Sequence, residues 1–335
     1  MAVQAESFHG DGPGLATSFG AGDDRFVVRH AALSLEGSCG TRWEYVIEAG
    51  TATCAGGTSF QLMEAGAFYR FDEHLRAGMM KGHILRGFAL HDECMDVLAA
   101  EKPLWSQTFA PCHPMGAVAE FTIPLPAGME TEGQFAFLNG GSDGTLEDER
   151  SINLGLLLRT PREELSLSGF YNPAREATGE FDLETWDPIH EDGYRFGFGV
   201  DYAGEALLFR SEYYRGRAFG SCDGMGALPI DPSIAPGDRE MEAFYAETGY
   251  RLSTGREALP AVLPYVRYQY WDRFSNSAGD YGISYITAGI TLELAESGGS
   301  LRVDYETPID TPEEILGETV EEEASRFLVR LQTGY

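Results

Sequence analysis

Apolar and polar residues change places at every second position along most of this 335-residue chain, and no run of 18 uncharged apolar residues interrupts the pattern. A period of two belongs to strands whose two faces meet different surroundings. A spanning helix needs about 20 consecutive apolar residues, so helices are excluded as membrane-crossing elements. Strands remain open as such elements, because a barrel alternates lipid-facing with lumen-facing residues and so dilutes its hydropathy signal. The 41 Gly, 20 Phe and 16 Tyr suit many short strands and turns.

Thirteen clear segments run from Arg25–Glu36 and Trp43–Gly50 to Leu301–Glu306 and Ser325–Tyr335. Three weaker ones, Gly12–Phe19, Ala117–Leu125 and Gly133–Asn139, bring the total to sixteen. Single-chain bacterial barrels have even strand numbers. Numbered from Gly12, the linkers after even strands are short, such as Asp72–His74 and Ala203–Gly204. Those after odd strands are mostly longer, such as His83–Gly116, Pro173–Asp192 and Arg215–Glu240. Tight periplasmic turns and long outer loops produce this parity in a barrel. A soluble sandwich with one wet face has no reason to sort its loops in that way.

The sequence thus predicts an all-β fold, a transmembrane antiparallel β-barrel of sixteen strands, as one domain over residues 1–335. Thr311–Glu323, with Pro312 at its first turn, reads as a short surface helix. Met1–Glu6 lacks the charged and apolar regions of a leader, while Val3-Gln4-Ala5 resembles the small-residue end of one. A mature or trimmed chain is therefore expected.

Charge decides which face meets lipid. In the last segment Arg326, Arg330 and Gln332 share one face, and Phe327, Val329 and Leu331 share the other. An Arg at the bilayer midplane costs roughly 2–4 kcal/mol, so the Arg face is the lumen. The same test turns Arg70, Arg76, Arg159, Arg267 and Arg302 inward, together with Glu293. Glu44, Glu120, Asp201, Glu212, Glu247 and Asp304 are also read as lumen residues. Trp43, Tyr202, Tyr213 and Tyr270, near segment ends, fit interfacial girdles. The formal charge of −29 excludes the basic footprint of a nucleic-acid binder. Its acid excess lies in long linkers, as in Glu147-Asp148-Glu149 and Glu321-Glu322-Glu323. At a pore mouth such acids concentrate cations and repel anions at low salt.

Three stretches carry a family resemblance: RFVVRHAALSLEGSCGTRWEYVIEAG at 25–50, MEAGAFYRFDEHLRAGMMKG at 63–82, and RFLVRLQTGY at the end. With the late hairpin ITLELAESGGSLRVDYE at 290–306, the chain resembles the bacterial porin family typified by the phosphate-selective porins O and P. The resemblance implies a sixteen-stranded bacterial outer-membrane porin, usually a homotrimer, whose third outer loop folds inward to narrow the pore. In this chain that loop is the linker His83–Gly116. The phosphate-selective members rely on Arg- and Lys-rich lumens. This chain has 24 Lys and Arg in all and an acidic surround, so that selectivity is not carried over.

The expectation is therefore passive diffusion of small hydrophilic solutes or ions. A constriction loop works by placing charges where the bore is narrowest. The candidates are Arg86, Asp92, Glu93, Asp96, Glu101 and Lys102. Cys94 and Cys112 bracket the loop, and a disulfide between them could stabilise by about 3 kcal/mol. A metal site with His83, His91 or His113 is the other reading of those thiols, with poorer spacing. No G-x-S-x-G, Walker or H-E-x-x-H signature is present, so no enzyme activity, cofactor or resident metal is expected. The expected partners are outer-membrane lipid and lipopolysaccharide. The alternative from another class is a structural or adhesive barrel with a closed bore, its acidic loops bridged by divalent cations to lipopolysaccharide or a surface layer.

Overall fold

A computed structural model describes residues 2–9, 25–52, 60–85, 87–88, 114–139, 150–162, 164–181, 188–217, 240–272, 275, 282–294, 299–310, 314–315, 318–319 and 325–334, and every structural statement concerns these. The strands are β1 (Ala2–His9), β2 (Arg25–Cys39), β3 (Trp43–Ala52), β4 (Phe60–Arg70), β5 (Leu75–Lys81), β6 (Met115–Pro124), β7 (Glu130–Asn139) and β8 (Arg150–Arg159). They continue with β9 (Leu165–Phe181), β10 (Pro188–Ala203), β11 (Leu207–Arg217), β12 (Glu240–Tyr250), β13 (Ala261–Asp272), β14 (Gly282–Leu294), β15 (Gly299–Asp310) and β16 (Arg326–Gly334). Each pairs antiparallel with its neighbours in sequence, and β1 closes the ring by pairing with both β2 and β16. A closed ring leaves no strand edge unpaired, which is the condition for a sheet in lipid.

Connections alternate as the sequence predicts. Short turns at 40–42, 71–74, 125–129, 160–164 and 204–206 lie at one end of the barrel. The strand ends that flank residues 10–24, 82–114, 140–149 and 218–239 lie at the other. Gly40, at φ +69, supplies the left-handed residue of the first hairpin turn.

Prolines mark two of the irregular places, because each lacks an N–H for the ladder. Pairing of β12 with β13 runs to Gly249↔Tyr265, lapses at Pro264, and resumes at Leu252↔Val262, where Leu252–Ser253 continues β12. Pairing of β8 with β9 skips from Ser151↔Ala174 to Leu154↔Tyr171 around Pro173. The Asn172 amide takes over there, donating to the Ile152 carbonyl at 2.8 Å.

Three expectations are corrected. The first strand is Ala2–His9, including Val3-Gln4-Ala5, whereas Gly12–Phe19 lies outside the described residues. Its alternation is short, and the strand rests on backbone pairing with β2 and β16, which arrives from both ends of the chain. Of the stretch Pro173–Asp192, residues 173–181 and 188–192 are strand and not loop: β9 and β10 stay paired there, with Asp192↔Arg175 and Glu191↔Glu176. Within Thr311–Glu323, Glu314–Ile315 and Glu318–Thr319 pair as a small ribbon in place of the expected helix. Ile315 and Thr319 are β-branched and favour extended backbone.

The outer surface is layered. Leu33, Leu35, Leu154 and Ile290 are exposed, Leu33 to 65%. Towards the long-loop end, Tyr194 stacks with Phe196 at 6.2 Å, and Phe244 lies 6.3 Å from Tyr268. At the short-turn end, Tyr69 packs edge-on against Trp43 and Phe71 at 5.2 and 5.1 Å, and Arg42 hydrogen-bonds its hydroxyl at 2.7 Å. Amphipathic rings above and below an aliphatic band are the girdles of a spanning barrel.

Candidate functional site

Alternation dictates what lines the interior. In the register Glu247↔Arg267, Arg267↔Thr287 and Thr287↔Glu306, one row of inward residues crosses four strands. Polar side chains that cannot face lipid accumulate here, and neighbours of opposite charge lie within reach.

Nearest the short turns the charges are paired and partly open to water. Glu44 on β3 accepts from Arg70 and from Arg76, the latter at 2.9 Å. Arg76 also donates to Glu120 at 2.5 Å, and Gln134 donates to the same carboxylate at 2.9 Å. Arg159 pairs with Glu132, Arg210 with Asp201 at 2.9 Å, and Arg251 with Glu293. The Arg70 and Arg76 side chains remain 51% and 43% exposed. This end of the barrel interior carries paired charges that stay partly open to solvent.

Deeper in, the wall is buried. Glu306 accepts from Thr287 at 2.8 Å, Gln269 at 3.1 Å and Arg267 at 3.5 Å. Tyr265 donates to Asp304, and Arg195 donates to Asn172 at 3.1 Å. Arg302 and Arg330 sit directly opposite each other, and both are buried. Arg326 occupies the register position opposite Glu306. Across the bore the inner face is apolar: Phe68, Met80, Val118, Ala136 and Leu138 form one buried cluster.

Onto that apolar face folds the start of the connection 82–114. Ile84 joins the cluster, and Leu85 and Phe88 pack with Leu157 of β8. The Leu85 N–H donates to Gln134 at 2.8 Å, and its carbonyl accepts from Asn153 at 3.0 Å. The Phe88 N–H donates to Glu212 at 2.6 Å, and the Arg210 guanidinium lies over the Phe88 ring at 5.3 Å. This part of the chain is therefore inside the barrel.

Arg86, Asp92, Glu93, Asp96, Glu101 and Lys102, with Cys94 and Cys112, lie outside the described residues. Cys39 ends β2, exposed and with a free thiol. Among the described residues no group of three or more His, Cys, Asp or Glu is arranged to hold a metal ion. Sequence alternation puts Glu212 on the inner face but is silent on its partner, because Phe88 is 124 residues away. The apolar inner face of β4–β7 also escapes a reading that looks for charge in a lumen.

No family model matches this chain, and no curated protein is similar to it in sequence. Its fold is that of outer-membrane β-barrels. It superposes on the outer membrane channel DcaP of Acinetobacter baumannii with a TM-score of 0.62 at 11% identity, covering 100% of this chain and 95% of that one. OmpF of Salmonella typhi, in a complex with daunomycin, gives 0.62 at 12% identity over 99% and 95% of the two chains. OmpT of Vibrio cholerae, an outer membrane protein folded in vitro and in its trimer form, gives 0.57 at 9% identity over 99% and 96%.

Proposed function

We propose that this chain is a bacterial outer-membrane porin, a passive water-filled channel for small hydrophilic solutes or ions. One observation carries the reading: a closed sixteen-stranded ring exposes a band of aliphatic residues outside and buries arginines and carboxylates inside. A soluble barrel has no use for that inversion. The fold shared with an outer membrane channel and with OmpF supports the same reading. The whole of residues 1–335 serves as one barrel, and the working assembly is a homotrimer, a form that OmpT of Vibrio cholerae adopts. Outer-membrane lipid and lipopolysaccharide surround it. We assign it no catalysis, cofactor or metal.

Selectivity is set by the long loop at 83–116, through Arg86, Asp92, Glu93, Asp96, Glu101 and Lys102. It is set as well by the wall residues Arg70, Arg76, Arg159, Arg267, Arg302, Arg326, Arg330 and Glu293. A Cys94–Cys112 disulfide staples the loop. Planar-bilayer recording of the purified protein tests the function: discrete conductance steps are expected. The second reading, a structural or adhesive barrel, is favoured by the burial of Arg267, Glu306, Tyr214 and Tyr245 deep in the wall. A closed bore would give no steps at any voltage, and that result would replace the channel with the structural role.

A further inference from the structure

The contacts of the loop's leading arm converge on one carboxylate. Glu212 of β11 is 1% exposed, and it accepts hydrogen bonds from the Phe88 N–H at 2.6 Å and from the hydroxyls of Tyr214 and Tyr245, each at 2.7 Å. Both tyrosines belong to the wall, on β11 and β12, so the wall orients the acceptor and the Phe88 donor comes from the loop. A buried carboxylate is costly unless donors surround it. The arm supplies one of them and packs over the site.

Two glycines make the approach feasible. Gly87 sits at φ +93, and a β-carbon there would run into the Glu212 carboxylate and the Tyr214 hydroxyl. Gly155 on β8 leaves room for the Leu85 carbonyl, which a β-carbon would strike. Leu85 is held on both sides, by Gln134 of β7 and Asn153 of β8. Three residues later the chain has reached β11. The arm therefore lies along the inner wall from β8 to Glu212 of β11.

We propose that Glu212 is a latch, a positioning residue that holds the long loop's leading arm against the inner wall and thereby sets the width of the bore. The effect on the bore rests on the channel reading above; the contact itself does not. Glu212→Ala removes the acceptor. Gly87→Ala leaves every wall residue in place and blocks the approach. Both variants are to be folded in detergent, with compactness checked by heat-modifiable gel migration.

Hydrogen–deuterium exchange of peptides spanning residues 83–90 reads the latch directly. A charge-assisted hydrogen bond lost at Phe88 is expected to speed its exchange about tenfold or more, with strand peptides unchanged. Single-channel recording reads the bore, where altered conductance with added open-channel noise is expected. Unchanged exchange at residues 83–90 in a folded variant overturns the latch. Faster exchange with wild-type conductance and noise overturns its control of the bore. A wild-type protein that does not conduct sinks the channel reading alone, and exchange still decides the latch. Should Glu212→Ala not fold, Gly87→Ala decides alone; should that also not fold, Tyr245→Phe, which removes one wall donor, is read by the same two measurements.

Discussion

Arg267 and Glu306 illustrate the energetics of a side chain inside this wall. Their side chains are 2% and 1% exposed, and Glu306 has two further donors in Thr287 and Gln269. Removing Arg267 takes a cation away from the buried Glu306 carboxylate. Arg267→Ala should destabilise by about 3–5 kcal/mol, read from urea unfolding of the protein folded into lipid vesicles. The outer face obeys a different rule. Leu154 is exposed on β8 in the aliphatic band, where lipid is its solvent. Leu154→Arg should cost about 2–4 kcal/mol by the same measurement, while Leu154→Phe should be nearly neutral. A soluble barrel would reverse that ranking, because water accepts Arg more readily than Phe.

A strand has to satisfy its backbone through both neighbours, and the prolines show how this is done. Pro173 leaves the Ile152 carbonyl without its ladder donor, and the Asn172 side chain fills the place. The same Asn172 accepts from Arg195 through its other atom. Asn172→Ala removes a donor from the Ile152 carbonyl and an acceptor from the buried Arg195 and should cost about 1–3 kcal/mol in that unfolding equilibrium, whereas Asn172→Asp should retain the Arg195 contact only. β1 is the element that closes the ring, pairing Glu6 with Arg330 of β16 and with Val27 of β2. Deleting residues 2–9 exposes two strand edges and should abolish the compact, heat-modifiable band on gels; survival of that band would show that β2 and β16 can close the ring unaided.

At the scale of the whole molecule, charge of −29 meets a wall whose own charges are mostly paired. The acid excess lies in the long linkers, so its influence should act at the mouth and be screened by salt. Cation preference, read as a reversal potential across a salt gradient, should be strongest near 0.01 M, where the Debye length is about 30 Å. It should fade towards 1 M, where that length is about 3 Å. Asp92→Asn combined with Glu93→Gln should lower the preference at low salt; an unchanged reversal potential would remove both residues from the conduction path.

Alternation alone determined which face of each strand is wet, and loop parity determined which end carries the long connections. Both are local: a side chain's face is settled by its neighbours in the chain and by the cost of charge in lipid. That is why reading residues two apart suffices to group Arg267 and Arg330 with the face of their strands that is buried. The first strand was not legible, because Ala2–His9 owes its place to partners at residues 25–32 and 327–334. The ribbon at 314–319 and the long β9–β10 hairpin also depend on pairing that no single segment encodes. The same holds at the candidate site. Glu212 reads as one more lumen acid until the barrel closes and brings the Phe88 amide and two tyrosine hydroxyls to it. Polarity belongs to the residue and is written in the sequence, whereas convergence belongs to the closed ring, since only closure sets positions far apart in the chain at hydrogen-bond distance.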